Sequence, residues 1–462
     1  MSTSIVTTDA LANLANACLR LGELNDLTDA PVAERQKIQD KLDSIVYSVL
    51  TIPPEITAHI FIQCLPKEIR PSRHIAPLLL TQICHDWRMI ALATPSLWDS
   101  ITLTYDARKD PERLLEMWLQ RSASLPLYLF LGAPDAALTR SLLDASLIHH
   151  CRWRELKLSS HADMDAGSRE FPILNKITFA DPSRGPRVLK IRNAPALDEV
   201  SITMANSGAF DVELPWSQLK TIRLKTFTDA WDCLQMLNQC SDLLLLAHRA
   251  IVWQNVIETF SHPHITLSNL ESLEVEYKGS SIVPHLTLPR LRYLTLSGRI
   301  ASAIEPFRAL LSRSSCSLQY LSIVITKYDN TKPYALYQIF QLVPTVTTLV
   351  LDLEGRRRPL HRIIEALSSA DVLPTMHTLI IAAERRVDDY DYLLNILRLR
   401  CENGTLRTFT LTFHPSGSAS GPTPPFPELA MAHFCDLANS GLKICICLNE
   451  NPWSVVLLDT LE

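Results

Sequence analysis

Several short clusters in this sequence contain residue types that could do chemistry. Gly417-Ser418-Ala419-Ser420-Gly421 has the outline of a nucleophile elbow, but alanine occupies the nucleophile position and the surroundings indicate a loop. His149-His150-Cys151 and His262-Pro263-His264 could be metal ligands, yet neither has carboxylate or cysteine partners at helical or hairpin spacing. Surface histidines in turns are the preferred interpretation. With no phosphate-binding glycine loop and no H-E-x-x-H motif, the residues predict a protein that is not an enzyme and holds no metal or cofactor.

Two basic runs are the remaining candidates for chemistry, as contacts to a target protein. Each follows a predicted strand, and stacked repeats would bring the two runs near each other at the strand ends, where loops meet partners. The alternative interpretation is an ordinary solvated loop. The candidate residues are Arg356, Arg357, Arg358, Arg385 and Arg386.

The elements that must position any partner begin with a proline-rich stretch, residues 52–101, which predicts a short bundle of helices. Pro54 suits the first turn of a helix, where a missing N–H costs nothing, and Ile56 and Ile60 then share one face. A second helix is predicted at 75–91 and is apolar on two faces. Because about fifty residues bury too little surface to cover both faces, we expect one face to meet a partner protein or the downstream domain.

The same stretch resembles the F-box, most closely the F-box proteins that basidiomycete fungi carry in large numbers. One departure is Ile52, where the family usually has leucine, and this change conserves volume. The motifs that carry the resemblance are Pro53-Pro54-Glu55-Ile56, Ile60-Phe61, Cys84-x2-Trp87-Arg88-x-Ile90-Ala91 and Pro95-x-Leu97-Trp98.

In that family the module binds the small Skp-type adaptor of cullin–RING ubiquitin ligases. The resemblance therefore implies a Skp-type adaptor as partner, and a cullin through the adaptor. It maps the adaptor-binding edge onto Pro54, Ile56, Ile60, Phe61, Leu80, Cys84, Trp87 and Leu92.

Residues 1–50 are predicted to be helical, with one helix over Ala10–Leu24 and another that begins at Pro31. A dimerising coiled coil would need about three or four heptads, whereas about two are present. Packing of the second helix on its neighbours is therefore preferred to dimerisation. Its apolar stripe comprises Ile38, Leu42, Ile45 and Val49.

Charge and cysteine usage argue against several classes of partner. The 44 basic residues are outnumbered by 49 acidic ones, so no large positive field exists to bind nucleic acid. Eleven cysteines without a disulfide framework, and no basic residue before Arg20 as a signal peptide would need, indicate reduced thiols in the cytoplasm or nucleus. The longest apolar run, Leu243–Ile257, is too short and too polar to span a membrane, and we expect no membrane partner.

Beyond Trp98 a phrase recurs: a turn, then L-x-x-L-x-L or a close relative. Its fourth and sixth residues alternate with polar or small ones as a strand should, and successive phrases lie about 20 to 35 residues apart, the span of one strand and one return helix. A degenerate phrase is expected near Ser241–Leu246. The others are Trp153–Leu158, Leu174–Phe179, Leu197–Ile202, Leu219–Leu224, Leu270–Val275, Leu291–Leu296, Leu318–Ile323, Val346–Leu351, Met376–Ile381, Leu406–Leu411 and Leu442–Cys447.

One strand–helix unit cannot bury its own apolar edge, but a stack of units can. The alternation looks like an irregular leucine-rich-repeat solenoid, in which the asparagine that usually ladders the inner turn is mostly absent. Helices are predicted at Pro111–Arg121, Ala136–Ser146, Thr228–Asn238, Ile304–Ser312, Tyr334–Leu342, Leu360–Ser368, Tyr390–Cys401 and Leu429–Ser440.

Together these patterns predict an α+β multidomain fold with three parts. An N-terminal all-α region at 1–50 precedes an F-box-like helical module at 51–101. An irregular α/β leucine-rich-repeat-like solenoid follows at 102–462, with a loop insertion near 414–427 that is rich in Ser, Gly and Pro.

The predicted function is substrate recognition in an SCF-type cullin–RING ubiquitin ligase. The F-box would dock on the adaptor and the repeat solenoid would bind a target protein, whose identity stays open. The alternative is an F-box-like leucine-rich-repeat scaffold that assembles proteins outside a ubiquitin ligase. A hydrolase is disfavoured because no catalytic constellation is present.

Overall fold

The computed structural model describes the chain in segments separated by gaps. The predicted helices at the N-terminus lie mostly outside these segments, although the few described residues before 52 are helical. The described residues are 13, 15–21, 39–40, 52–104, 110–132, 135–159, 163–181, 187–204, 210–226, 230–250, 264–277, 282–298, 300–325, 333–353, 364–369, 371–384, 390–414, 428–447 and 455–458.

The chain divides into two compact units, Met1–Leu129 and Phe130–Glu462. In the first unit a helix begins at Pro54, as predicted, because a proline in the first turn leaves no hydrogen bond unmade. The elements of this unit are α1 (Pro54–Gln63), α2 (Leu80–Ile83), α3 (His85–Leu92), a 3-10 turn (Pro95–Leu97), β1 (Ser100–Thr104), α4 (Pro111–Arg121) and the first residues of β2 (Leu127–Gly132).

The prediction of one continuous helix over 75–91 is wrong. Cys84 has an extended backbone, with φ −152° and ψ 174°, and it separates α2 from α3. Its thiol accepts a hydrogen bond from the Trp87 amide at 3.5 Å, so Cys84 caps α3 instead of continuing a helix.

In the second unit, strands alternate with helices or with short return strands. The strands of the large sheet are β3 (Trp153–Ser159), β5 (Lys176–Asp181), β7 (Glu199–Met204), β9 (Thr221–Thr226), β10 (Leu245–Ala250), β12 (Ser272–Tyr277), β14 (Tyr293–Gly298), β15 (Tyr320–Ile325), β16 (Thr348–Leu353), β17 (Thr378–Glu384), β18 (Thr408–His414), β19 (Lys443–Cys447) and β20 (Val455–Leu458). The helices are α5 (Ala136–Leu147), α6 (Ala230–Leu237), α7 (Ile300–Ser314), α8 (Pro333–Leu342), α9 (Tyr390–Glu402) and α10 (Glu428–Asn439).

The early repeats return through short strands instead of helices. A three-stranded sheet is formed by β4 (Met164–Asp165), β6 (Arg187–Lys190) and β8 (Phe210–Glu213), and a two-stranded sheet by β11 (Ile265–Thr266) and β13 (Leu286–Thr287). Of the helix predicted at Leu360–Ser368, the described residues are Ile364, which is α-helical, a 3-10 turn over Glu365–Leu367, and Ser368. The other helices predicted beyond residue 102 are confirmed, with ends that shift by a few residues.

The predicted α+β class is wrong, and the fold is α/β. The largest sheet has fifteen strands in the order β1-β2-β3-β5-β7-β9-β10-β12-β14-β15-β16-β17-β18-β19-β20. Neighbouring strands from β3 to β19 pair in parallel, whereas β19 and β20 are antiparallel. Parallel strands need long crossovers, so most helices lie between strands, and a separate all-α N-terminal class is not supported because strand β1 directly follows the helices of residues 54–97.

The core of the second unit is built from two ladders of apolar side chains. From β3 to β9 and from β12 to β18, the fourth residue of each predicted phrase pairs in register with the fourth of the next, as Leu156 does with Ile177. The sixth residues form the second ladder, and both ladders are buried. In β19 the ladder residues are Ile444 and Ile446, one position earlier than the predicted phrase places them. In β10 the second ladder contains His248, which pairs with Leu224 and Val275.

The backbone hydrogen bonds just before each strand follow the same pattern from one repeat to the next. The Asp198 carbonyl accepts the amides of Lys220 and Thr221, both at 2.9 Å, and the Lys220 carbonyl accepts the next two amides, of Leu244 and Leu245, at 2.9 and 3.0 Å. The same arrangement continues to β18, so each repeat fixes the register of its successor.

Candidate docking surface

The first helix presents two isoleucines to solvent. Both the amide and the hydroxyl of Thr57 donate to the Pro53 carbonyl, at 3.0 and 3.2 Å, which fixes the first turn. Thr57 and Phe61, one turn apart, are the buried residues of α1. Ile56 and Ile60, which are also one turn apart, keep 53% and 45% of their surface exposed.

The break at Cys84 gives α2 and α3 different directions, and side chains hold the joint. The Arg88 guanidinium donates through Nε to the Thr81 carbonyl at 2.6 Å, across the break. Leu79 donates its amide to the Ile75 carbonyl at 3.0 Å, so helical geometry starts before α2 itself. Ile75, Leu79 and Ile83 consequently succeed one another at one-turn spacing, and all three are exposed.

Two residues assigned to the adaptor-binding edge lie beneath this surface. Phe61 is 1% exposed and its ring packs on Trp87, with ring centroids 4.9 Å apart and planes tilted by 59°. Leu80 is 5% exposed. Trp87 is half-buried, so the Phe61–Trp87 contact joins α1 to α3 and supports the surface from below.

The exposed apolar side chains of these helices are here called the docking surface. Its residues are Ile56, Ile60, Ile75, Leu79, Ile83 and Met89, each at least 39% exposed. Isolated surface aliphatics are ordinary, whereas six of them within residues 56–89 form a concentration of exposed apolar side chains. In and just before α2 the exposed side chains are Leu79 and Ile83 and not Leu80. That a partner covers this surface stays a prediction.

The remaining residues of the predicted edge differ in exposure. Pro54 is exposed, while Cys84 and Leu92 are half-buried. Cys84 uses its thiol to cap α3. The sequence signal for Ile75 and Leu79 is their spacing of four from each other and from Ile83, whereas Met89, in α3, has no such signal.

A tryptophan pair anchors these helices to the first strand. The Trp98 indole N–H donates to the Ala91 carbonyl, and that of Trp118 donates to the Ser100 carbonyl, both at 2.9 Å. The two rings meet edge to face with centroids 4.7 Å apart, and the Arg121 guanidinium lies 4.5 Å from the Trp98 ring. These contacts join α3 and α4 to β1.

Asp99, immediately after this anchor, has a half-buried carboxyl group. Burial raises the pKa of the Asp99 carboxyl from 3.8 to about 6, although a hydrogen bond to its own backbone partly opposes the shift. Glu55, Asp86 and Arg88, which neighbour residues of the docking surface in sequence, are exposed charged side chains.

On the large sheet of the second unit, the early strands carry ion-paired side chains and later strands carry two neighbouring tyrosines. Lys176 lies 3.8 Å from Glu155 and 3.5 Å from Glu199, and Arg223 lies 3.6 Å from Glu199, so the early strands carry a self-neutralising row of charges. Further along, Tyr293 on β14 is 44% exposed and its ring centroid lies 6.0 Å from that of Tyr320 on β15. Tyrosines are enriched at interfaces, so this pair is the second candidate contact.

Several predicted residues lie outside the described part of the chain. They are Arg356, Arg357, Arg358, Arg385 and Arg386, together with the serine-glycine cluster at 417–421 and the first two residues of His262-Pro263-His264. His264 is exposed, and its ring centroid lies 6.2 Å from that of His285.

No protein-family model matches this chain, and the search of the curated proteins finds no match. Among the residues that the structure describes, no three His, Cys, Asp or Glu side chains cluster as a metal site would require. No described helix combines the length and the hydrophobicity that crossing a bilayer demands.

Proposed function

We propose that this chain is a non-enzymatic substrate-recognition subunit of an SCF-type cullin–RING ubiquitin ligase. The helices of residues 54–92 dock on a Skp-type adaptor, which connects the chain to a cullin, and the strand–helix repeats of the second unit bind a target protein. The chain acts in the cytoplasm or nucleus. Its contribution is proximity, since it holds the target near an activated ubiquitin and performs no bond chemistry itself.

The observation that supports this proposal is the docking surface, on the stretch that resembles the F-box. Fully burying an isoleucine is worth about 1.5 to 3 kcal/mol, so covering the exposed halves of Ile56 and Ile60 is worth about 1 kcal/mol each. Truncating both to alanine should therefore cost about 2 kcal/mol of adaptor affinity, or about 30-fold in Kd.

The test measures binding of a purified Skp-type adaptor to the full chain by calorimetry. The variant is Ile56→Ala with Ile60→Ala, which leaves the Phe61–Trp87 contact intact. Ile148→Ala is the matched control because Ile148 is 79% exposed and lies in the other unit. Absence of binding by the unmodified chain, or equal weakening by the control, would refute adaptor docking.

A second experiment separates ligase assembly from scaffolding. Adaptor, cullin and chain are mixed and analysed by size exclusion; co-elution of the cullin supports the ligase. Adaptor binding without the cullin would leave a scaffold outside a ubiquitin ligase. Target binding is measured by cross-linking the chain to its bound proteins. Tyr293→Ala with Tyr320→Ala should abolish the cross-links to target proteins, whereas the variant at Ile56 and Ile60 should retain them.

A further inference from the structure

A cysteine and a histidine meet in the turn that precedes β3, far along the chain from the docking surface. The 3-10 turn His150–Arg152 follows α5, and Cys151 is exposed at its centre. The Cys151 Sγ lies 3.4 Å from Nε2 of the His150 imidazole. These residues belong to the His149-His150-Cys151 cluster, so its structure is that of a thiol–imidazole pair.

The protonation of His150 is determined by its second contact. Nδ1 of His150 lies 3.0 Å from the Leu147 carbonyl oxygen, which can only accept a hydrogen bond. Nδ1 therefore carries the hydrogen, and in the neutral ring Nε2 holds the lone pair that faces the thiol. Cys151 donates its S–H to that lone pair, which is the arrangement a base needs to take the thiol proton.

The imidazole is also held in place by packing. Its ring meets the Phe171 ring edge to face, with centroids 5.7 Å apart, and Phe171 is fully buried against Trp153 at 5.4 Å. A base that is oriented by a carbonyl on one nitrogen and by a buried aromatic on its ring presents Nε2 in one direction. The thiol in front of it is open to solvent.

We propose that Cys151 and His150 form a reactive-thiol site that undergoes exchange with low-molecular-weight disulfides such as glutathione disulfide. The Cys151 proton moves to Nε2 of His150, and the thiolate attacks one sulfur of the disulfide. The disulfide bond breaks as the mixed disulfide forms, and the departing thiolate takes the proton from His150. One thiol and one disulfide give one mixed disulfide and one thiol, so no further oxidant is required.

The chain contains an internal standard for this reaction. Cys64 is also exposed, and in the described part of the chain no histidine nitrogen contacts its thiol. With glutathione disulfide as probe and peptide mass spectrometry as readout, Cys151 should react at least about ten times faster than Cys64.

The decisive variant is His150→Asn, because the amide nitrogen of asparagine can still donate to the Leu147 carbonyl while no base faces the thiol. It should lower the Cys151 rate to within about twofold of Cys64, while His149→Asn, the matched control, leaves the rate unchanged. Alkylation by iodoacetamide at about pH 10, where thiols are ionised, checks that access to Cys151 is equal in both proteins. Equal rates for Cys151 and Cys64, or an unchanged Cys151 advantage in His150→Asn, would overturn the proposal.

Discussion

The buried histidine of β10 should make the second unit sensitive to mild acid. His248 is 4% exposed, takes the place of an aliphatic residue in the sixth-position ladder, and its Nδ1 has no hydrogen-bond partner among the described residues. Burial lowers the pKa of His248 from 6.5 to about 4. The folded protein therefore resists binding a proton that the unfolded chain accepts below about pH 6.5.

The difference in proton binding by His248 between the folded and unfolded states sets the sign and size of this pH dependence. Between pH 6.5 and 4 the unfolded state binds more protons at His248, so the free energy of unfolding falls as the pH falls. The loss is about 2 kcal/mol at pH 5 and approaches about 3 kcal/mol below pH 4. Above pH 7 the residue is neutral in both states and contributes no pH dependence.

The assay is urea unfolding at a series of pH values, together with native-state hydrogen exchange of β9, β10 and β12. His248→Leu should remove this part of the pH dependence and also stabilise the protein at pH 7, because it deletes a buried unpaired nitrogen worth about 1 to 3 kcal/mol. His264→Leu changes an exposed imidazole and is the matched control. If His248→Leu retains the full acid sensitivity of the unmodified chain, the reasoning fails.

Two further predictions concern buried charges. Arg400 is 1% exposed and donates to the carbonyls of Leu367, at 3.0 and 2.8 Å, and Ser369, at 2.8 Å, so Arg400→Met should lower the free energy of unfolding by about 3 kcal/mol or more. An unchanged urea midpoint would contradict this. The pKa of Asp99 rises on folding to about 6, so the free energy of unfolding falls as the pH rises from about 4 to 6. Asp99→Asn should therefore raise the free energy of unfolding by about 1 to 3 kcal/mol at pH 7 and leave it unchanged below pH 4. Thermal melts at both pH values check it, and equal gains at both would contradict it.

The strands were predictable because their signal is local. In most phrases two apolar residues alternate with polar ones, and the structure pairs these residues in register from β3 to β9 and from β12 to β18. In β19 the paired residues lie one position earlier than predicted. In β10 they are Leu246 and His248, two positions later than the predicted Ser241–Leu246 phrase, because a histidine occupies the second ladder position. A buried histidine removes the alternation on which the prediction depends.

The polar ladder between repeats was not predictable from a fixed residue type. The asparagine expected on the inner turn is mostly absent, and different side chains make equivalent bonds to the preceding repeat. Thr345 donates to the Leu318 carbonyl at 2.7 Å, and Gln218, at the equivalent position, donates to the Leu197 carbonyl at 2.9 Å. Different donors at this position can satisfy the carbonyl of a buried residue, so the geometry is retained while the sequence signal disappears.

The wrong fold class and the burial of Leu80 have different physical origins. The α+β prediction separated the helices of residues 52–101 from the strands after them, whereas β1 starts at Ser100 and its Thr102 amide donates to the Ile69 carbonyl at 2.8 Å, a bond between the strand and the loop after α1. The edge residues came from the resemblance to the F-box and stay a prediction, while the structure buries Leu80 and separates α2 from α3 at Cys84. The hydrogen bond from the Trp87 amide to the Cys84 thiol is made at this break.

The joint between α2 and α3 determines which apolar side chains could share one face, so it says more about the docking surface than any single exposed isoleucine does. If the helices were continuous, Leu80, Cys84 and Trp87 would lie along one face, and the docking surface would be a different set of residues. In the observed geometry Trp87 supports α1 through Phe61, so its loss would disturb the fold as well as a partner contact. Adaptor binding that survives truncation of Ile56 and Ile60 but fails on truncation of Trp87 would therefore indicate a folding requirement and not a contact.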